Sequence, residues 1–276
     1  MGSLVSIVIP TFNDDPEHLD QAIRSALSQT YSNIEVLVID DGSPTPVQPR
    51  DNVRLLRQQN GGVSAARNAA IAAAHGDFIQ LLDGDDWLDP QAVEEGMGIL
   101  ADPRVLVAYP KLELFGTRGG AVPLRGETTL DHLMVNTSFP GTAMFRTAAW
   151  RDVGGYDESL RLGYEDWEFW VRLLRDGGIA REMPTARLHY RMRDGSRSAQ
   201  DPVAARSATL EAILRNNPEH LGQFLRASWR MIGQQEAMLA AKTAQLAVWE
   251  RRTAPFRWLR QRARGLARSR GWLRGK

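Results

Sequence analysis

Short apolar runs that stop at turn residues and alternate with helical segments constrain the first 110 residues more than any other feature of this chain. Ser6–Pro10 reads SIVIP, Ile34–Asp40 reads IEVLVID, Phe78–Leu82 reads FIQLL and Val105–Tyr109 closes the series, with a weaker run at Val53–Leu56. Unbroken apolar runs of this length suit strands covered on both faces. Helical signals lie between them. Asp14 or Asp15 can cap a helix with Pro16 in its first turn, and Leu19, Ala22, Ile23, Ala26 and Leu27 fall on one helical face. Gly61-Gly62 opens an alanine-rich helix from Val63 to His75, and Leu88 to Leu100 reads as a third. Strand–helix alternation predicts an α/β fold on a mostly parallel sheet with right-handed crossovers. Ligands of such sheets gather at the carboxyl ends of the strands, where the strand order switches.

The rest of the chain is less regular. Glycines 116, 119, 120 and 126 and Pro140 predict an antiparallel or loop-rich half over residues 111–165. Trp167, Trp170, Val171 and Leu174 mark a helix face, and beyond Pro202 the chain reads as helical, broken at Pro218 and resuming to Arg252. The absence of cysteine excludes disulfides, thiolate metal sites and a cysteine nucleophile. No apolar stretch reaches the roughly 20 residues of a membrane span. No basic segment with an apolar run opens the sequence, so the expected location is cytoplasmic. A net charge of +1 conceals an asymmetry: residues 251–276 hold ten Lys/Arg and no Asp/Glu, leaving 24 basic and 33 acidic side chains elsewhere. Phe256, Leu259, Ala263, Leu266 and Ala267 share a face of that tail among arginines, with Trp258 and Trp272 nearby. This suits an amphipathic anchor on an anionic membrane surface, here the inner face of the plasma membrane. A partner-binding helix or a solvated basic end are the alternatives. The acidic body argues against nucleic-acid binding.

Three strand ends carry polar residues, Thr11 to Asn13, Asp40-Asp41 and Asp83 to Asp86, and a further acidic pair precedes a helix. Asp83-Gly84-Asp85 follows an apolar run. Residues two apart in extended chain point the same way, so both carboxylates can address one hard cation such as Mg²⁺ or Mn²⁺ and its diphosphate. Gly84 allows close approach of a ligand to the backbone. The plain alternative is a solvated acidic turn, with Asp86 as the cap of the next helix. Asp40-Asp41-Gly42-Ser43 can offer a carboxylate to a base N–H or a ribose hydroxyl, or can stabilise its own turn. Glu165-Asp166 precedes the Trp167/Trp170 face. Asp166 there suits a general base for a hydroxyl proton, or a helix N-cap. Arg67 can grip phosphate as a fork, or sit solvated on its helix. The cations of His189–Arg197 (HYRMRDGSR) can close over a diphosphate with Gly195 as hinge, or form a surface loop.

Taken in order, SIVIPTFN, VLVIDDGS, NGGVSAARNAAI, FIQLLDGDDWL, GGYDE and GYEDWEFWVRL resemble family 2 glycosyltransferases of the GT-A fold, over roughly residues 4 to 195. The resemblance implies a transferase domain over residues 1–200. Within it, 1–110 would form a nucleotide-sugar-binding half and 111–200 an acceptor half, with 201–276 a helical extension. Pro10, Thr11, Phe12 and Asn13 would contact the nucleobase, with Asp41 hydrogen-bonded to it, and Arg67 would lie near the diphosphate or ribose. Asp83 and Gly84 would border the donor, and Asp85, with Asp83, would hold Mn²⁺ or Mg²⁺. Asp166 would be the base, with Glu165 and Trp167 near the acceptor. The implied donor is a nucleoside-diphosphate sugar, UDP-sugars favoured. The acceptor would be a glycan, a lipid-linked or a small-molecule hydroxyl, as in cell-envelope polysaccharide assembly, and the anomeric carbon would be inverted. Many relatives have histidine where Arg193 stands, three residues after Tyr190. The QxxRW motif of processive synthases is absent, which implies single-sugar transfer. The rival readings are a sugar nucleotidyltransferase and a non-catalytic membrane-docking scaffold.

Overall fold

A computed structural model describes residues 2–134, 136–193 and 202–269, with side chains left undescribed at 202 and from 250 onward. The elements are β1 (Val5–Thr11), α1 (Pro16–Leu27), β2 (Ile34–Asp40), β3 (Val53–Arg57), α2 (Val63–Ala73), β4 (Phe78–Leu81), β5 (Trp87–Leu88) and α3 (Ala92–Leu100). They continue with β6 (Val105–Gly116), β7 (Gly120–Val122), β8 (Glu127–Thr128), α4 (Leu130–Leu133), β9 (Met144–Arg146) and α5 (Thr147–Asp152). Then come α6 (Glu165–Leu174), β10 (Ile179–Met192), α7 (Pro202–Asn216) and α8 (Leu221–Ser269). Two compact units result, residues 1–224 and 225–276.

The sheet runs β3-β2-β1-β4-β9-β6-β10-β5, with β7 beside β6 and β8 beside β10. The first four strands are parallel, as the alternating pattern predicts. The β1 strand is flanked by β2 and β4, so the chain leaves it in opposite directions and a crevice opens at its carboxyl end. In register, Thr11 faces Asp40 across that end. β9 pairs antiparallel with both β4 and β6, and joins this parallel half to the irregular half.

Apolar periodicity explains the packing. All of β1 is buried, and Leu19, Ala22, Ile23 and Ala26 of α1 cover it. Leu27, expected on that face, is 41% exposed because it ends the helix. Asp15 is the α1 cap, accepting from Glu17 N at 2.8 Å, which frees Asp14 for another purpose. The helix expected from Leu88 starts only at Ala92, since Trp87 and Leu88 pair with β10. A second core forms under α6. Trp167, Phe169 and Trp170 are buried; Trp170 packs on Phe139 and Phe145, and Phe145–Phe169 centroids lie 5.4 Å apart. Burying each such ring contributes about 1.5–3 kcal/mol. Inside this core Arg172 is forked onto Glu168 at 2.6 Å, donates to Val153 O, and Glu168 also accepts from Asn216. Helix α6 is thereby held at a fixed height.

The second unit is the continuation of α8. Its backbone is helical to Ser269, so the expected stop at Arg252 is passed. The side chains of the predicted amphipathic tail, and residues 270–276, lie outside the described residues. Among the described residues no helix is long and apolar enough to cross a membrane.

Candidate active site

The strand ends bring the predicted acids to one edge of the sheet. At the end of β4, Asp83 accepts from Arg67 Nη2 at 2.9 Å. The same guanidinium donates through Nη1 to Glu165 at 2.8 Å, 98 residues away on α6. Arg67 is thus a bridge between the acidic turn and the helix that carries Asp166. Its side chain is 4% exposed and lies 5.5 Å from the Tyr156 ring centroid. Two adjacent carboxylates keep it cationic. The solvated alternative for Arg67 is excluded by this burial.

The α6 helix starts at Glu165, and its N-cap is Tyr164 in the left-handed region at φ 59°, so Asp166 is not the cap. Left-handed backbone at a bulky residue is a strain that surrounding structure must hold. Its effect is to place Glu165 and Asp166 together in the first turn. The Asp166 Oδ1 accepts from Trp167 N at 2.9 Å, and a Cβ on Gly141 would stand 3.2 Å from its Oδ2. Partly open to solvent but crowded, Asp166 is pushed up to about 7, first by burial and then by the Glu165 charge, with Arg67 opposing. A carboxylate poised near neutral pH is suited to proton transfer. Trp167 is a core residue at 1% exposure whose indole donates to Leu133 O at 2.6 Å. It presents no surface for an acceptor and instead pins α6. Glu165, also placed near an acceptor by the resemblance, is engaged with Arg67.

On the β1 side, Phe12 is half exposed at 50%, Thr11 and Pro10 are buried, and Asn13 sits at φ 54° with its N–H donating to Ser43 Oγ. Asp41 accepts from Gln58 Nε2 at 2.7 Å, Gly61 N at 2.9 Å and Gly62 N at 2.9 Å. It holds the loop entering α2. Asp40 is the buried turn acid. It accepts from Ser43 N and Arg57 Nη1, and although burial raises its pKa, the Ser43 bonds outweigh this and keep it below the usual range.

Asp14 was visible in the sequence only as a possible cap. Its carboxylate accepts from Thr11 Oγ1 at 2.9 Å and lies where a Cβ on Gly84 would come within 2.6 Å. Gly84 therefore makes room for a side chain of this chain itself. Burial, then mutual repulsion with Asp83, raises the pKa values of Asp14 and Asp85, while Arg193 opposes both. Arg193 pairs with Asp85 and reaches Asp14 Oδ1 at 3.9 Å. Asp86, expected as a helix cap, is instead buried at 1%; it accepts from Arg191 N at 2.7 Å. The α3 cap position belongs to Gln91. His189 bonds Asp89 at 2.8 Å and stacks on Trp87, away from a metal role. Residues 194–197 of the late loop, Gly195 included, lie outside the described residues.

Among the described residues no group of three or more His, Cys, Asp and Glu is placed to hold a metal ion. Mg²⁺ and Mn²⁺ commonly take one or two carboxylates and complete their shell with phosphates and water. The crowded pair Asp83 and Asp85, at one strand end, fits such an open site. A separate groove of about 570 Å³ beside α2, lined by Gln58, Asn68, Trp150 and Glu158, contains none of the predicted site residues.

The fold is an α/β sheet with acids and an arginine bridge at the carboxyl ends of its parallel strands. The family model described as glycosyl transferase family 2 matches residues 6–150. The chain belongs to that family. It is 31% identical over 237 residues to "Uncharacterized protein y4gI" of Sinorhizobium fredii, covering 80% of this chain and 26% of the relative. It is 29% identical over 191 residues to "Chondroitin synthase" of Escherichia coli, covering 63% of this chain and 27% of the relative. The chain thus spans about a quarter of the length of these relatives. Among solved structures, S. aureus TarS 1–349 in complex with UDP-GlcNAc matches with a TM-score of 0.64 at 20% identity, covering 82% of this chain and 72% of that one. The shared fold is the expected GT-A architecture. The family match does not favour the nucleotidyltransferase or scaffold readings.

Proposed function

We propose that this chain transfers a sugar from a nucleoside-diphosphate sugar to an acceptor hydroxyl, one sugar per encounter, with inversion at the anomeric carbon. The Arg67 bridge carries the reading, because it ties the donor-side acid Asp83 to the helix turn that holds Asp166. The UDP-GlcNAc complex of a protein with this fold supports a UDP-sugar donor. The proposed domains are 1–110 for the donor, 111–200 for the acceptor and 201–276 as extension.

Half-exposed Phe12 offers a face on which a planar base stacks. Asp41, with three of about four lone-pair positions taken, fixes the loop and has one left for a base N–H. Asp83 and Asp85 would hold Mn²⁺ or Mg²⁺. When bound, such an ion supplies charge that offsets the negative charge developing on the leaving diphosphate. Asp166 accepts the acceptor hydroxyl proton as the oxygen attacks the anomeric carbon. The new glycosidic bond forms while the bond to the diphosphate breaks on the opposite face. Holding both partners in line contributes several kcal/mol of barrier lowering, roughly within the range measured for intramolecular reactions.

Turnover of UDP-sugars with Mn²⁺, followed by release of UDP, tests the reading; no turnover and no UDP binding would remove it. Asp85→Ala should bind UDP with an affinity that Mn²⁺ no longer raises over chelator, as read by calorimetry. The tail at 251–276 is proposed to rest on anionic membranes. Flotation with phosphatidylserine vesicles should retain the full chain and lose one truncated after residue 250, and equal recovery of the two would count against it.

A further inference from the structure

Two arginines at the end of β10 are used in opposite ways. Arg191 is fully engaged: its backbone N–H donates to Asp86, its Nε donates to Asp85 O at 2.9 Å, its Nη2 donates to Gln21 at 2.9 Å, and its guanidinium lies 4.5 Å from the Phe115 ring centroid. It is a structural clamp. Arg193 has a 45% exposed side chain and rests on Asp85, with Asp14 at 3.9 Å. Its backbone is fixed one residue earlier, where Met192 O accepts from Thr117 N at 3.1 Å. The root of the side chain is anchored, and its half-exposed head is held by Asp85 alone at hydrogen-bond distance.

The charges explain why an exposed cation belongs here. The Asp14 carboxylate packs against Gly84 between Asp83 and Asp85, Arg193 Nη2 faces both Asp14 and Asp85, and Arg67 is buried and committed to Asp83 and Glu165. Asp85 therefore relies on Arg193. A guanidinium fork fits a carboxylate and a phosphate equally well in geometry. An ion that takes the Asp85 oxygens competes with the Arg193 Nη2 contact to Oδ2, and the nearest new anion would be the diphosphate arriving with the ion.

We infer that Arg193 is the resident counter-ion of Asp85 and exchanges that carboxylate for the donor diphosphate when metal and nucleotide bind together. This rests on the donor-binding reading above. It goes beyond it by making metal and nucleotide binding cooperative through one side chain. Coupling of this kind is reciprocal: UDP must strengthen Mn²⁺ binding by the factor by which Mn²⁺ strengthens UDP binding.

The experiment is Mn²⁺ titration by electron paramagnetic resonance and UDP titration by calorimetry, each with and without the other ligand, on the full chain. Arg193→Gln should bind Mn²⁺ alone about two- to fivefold more tightly, since a half-exposed ion pair no longer competes. It should bind UDP in saturating Mn²⁺ at least about tenfold more weakly, for loss of a charge-assisted contact. Its coupling factor should shrink accordingly, and Arg193→Lys, which keeps charge without the fork, should fall between. A variant with wild-type Mn²⁺ affinity and wild-type coupling overturns the exchange while leaving donor binding intact. A wild-type chain that binds no UDP under any condition overturns the donor reading, and this inference with it.

Discussion

Asp166→Asn is expected to lower turnover by about 10²–10⁴-fold while leaving UDP affinity within a factor of about two, the range positioned proton transfer contributes. The amide keeps the shape and the acceptor for Trp167 N, but cannot take a proton from the attacking hydroxyl. In the wild type the carboxylate is pushed up to about 7, so kcat/KM should rise with pH through that value. The variant's residual rate should show no such limb. Stability supplies an independent check. The folded pKa is raised above the ordinary 3.8, so the stabilising contribution is fully present below about pH 4 and is lost as pH climbs through 7. Asn behaves like the protonated acid and loses nothing. The variant should therefore match wild type at pH 4 and exceed it above pH 7, on the order of 2 kcal/mol after discounting for partial exposure. Urea denaturation at the two pH values reads the difference. A flat difference would mean that Asp166 is ionised throughout and is not the poised base.

Arg67→Met is the second large effect. The substitution preserves bulk but leaves Glu165 buried and Asp83 half-buried without their common partner. Removing one member of a buried ionic network costs about 3–5 kcal/mol, and the exposure of Asp83 puts this case at the lower end. Arg67 also holds down the Asp166 pKa, so in the surviving enzyme the acidic limb of kcat/KM should move to higher pH. Arg67→Lys keeps a charge but cannot span both acids as a fork, and should lose less stability than Met. If Arg67→Met melts like wild type and keeps its pH profile, the bridge does not organise the site.

Much of this was legible in the sequence because it follows from local pattern. The parallel strands up to β4, the α1 face and the acidic turns at their ends are period and punctuation, and each appears within a residue or two of its expected place. What escaped was long-range partnership. Nothing in the alanine-rich segment around Arg67 tells which acids it will meet 16 and 98 residues away. Asp14 and Asp15 were equivalent as caps until Asp15 took Glu17 N and Thr11 drew Asp14 into the site. Asp86 looked like a cap since a helix was expected from Leu88, but pairing of Trp87 with β10 pulled the segment into the sheet. Trp167 has the composition of a contact residue and the environment of a core residue, and only packing separates the two.

The three residues of β9 stitch the side built on β1 to β4 to the side built on β6 and β10 through antiparallel ladder bonds on both edges. A hinge between those sides would have to tear that seam, which costs several backbone hydrogen bonds at once. On the function proposed above, the span from leaving group to incoming oxygen is therefore built in at folding, not set by closure of two lobes. Substrates of different size would then be told apart by side chains at the rim, and a single swap there could retune selectivity without disturbing the frame.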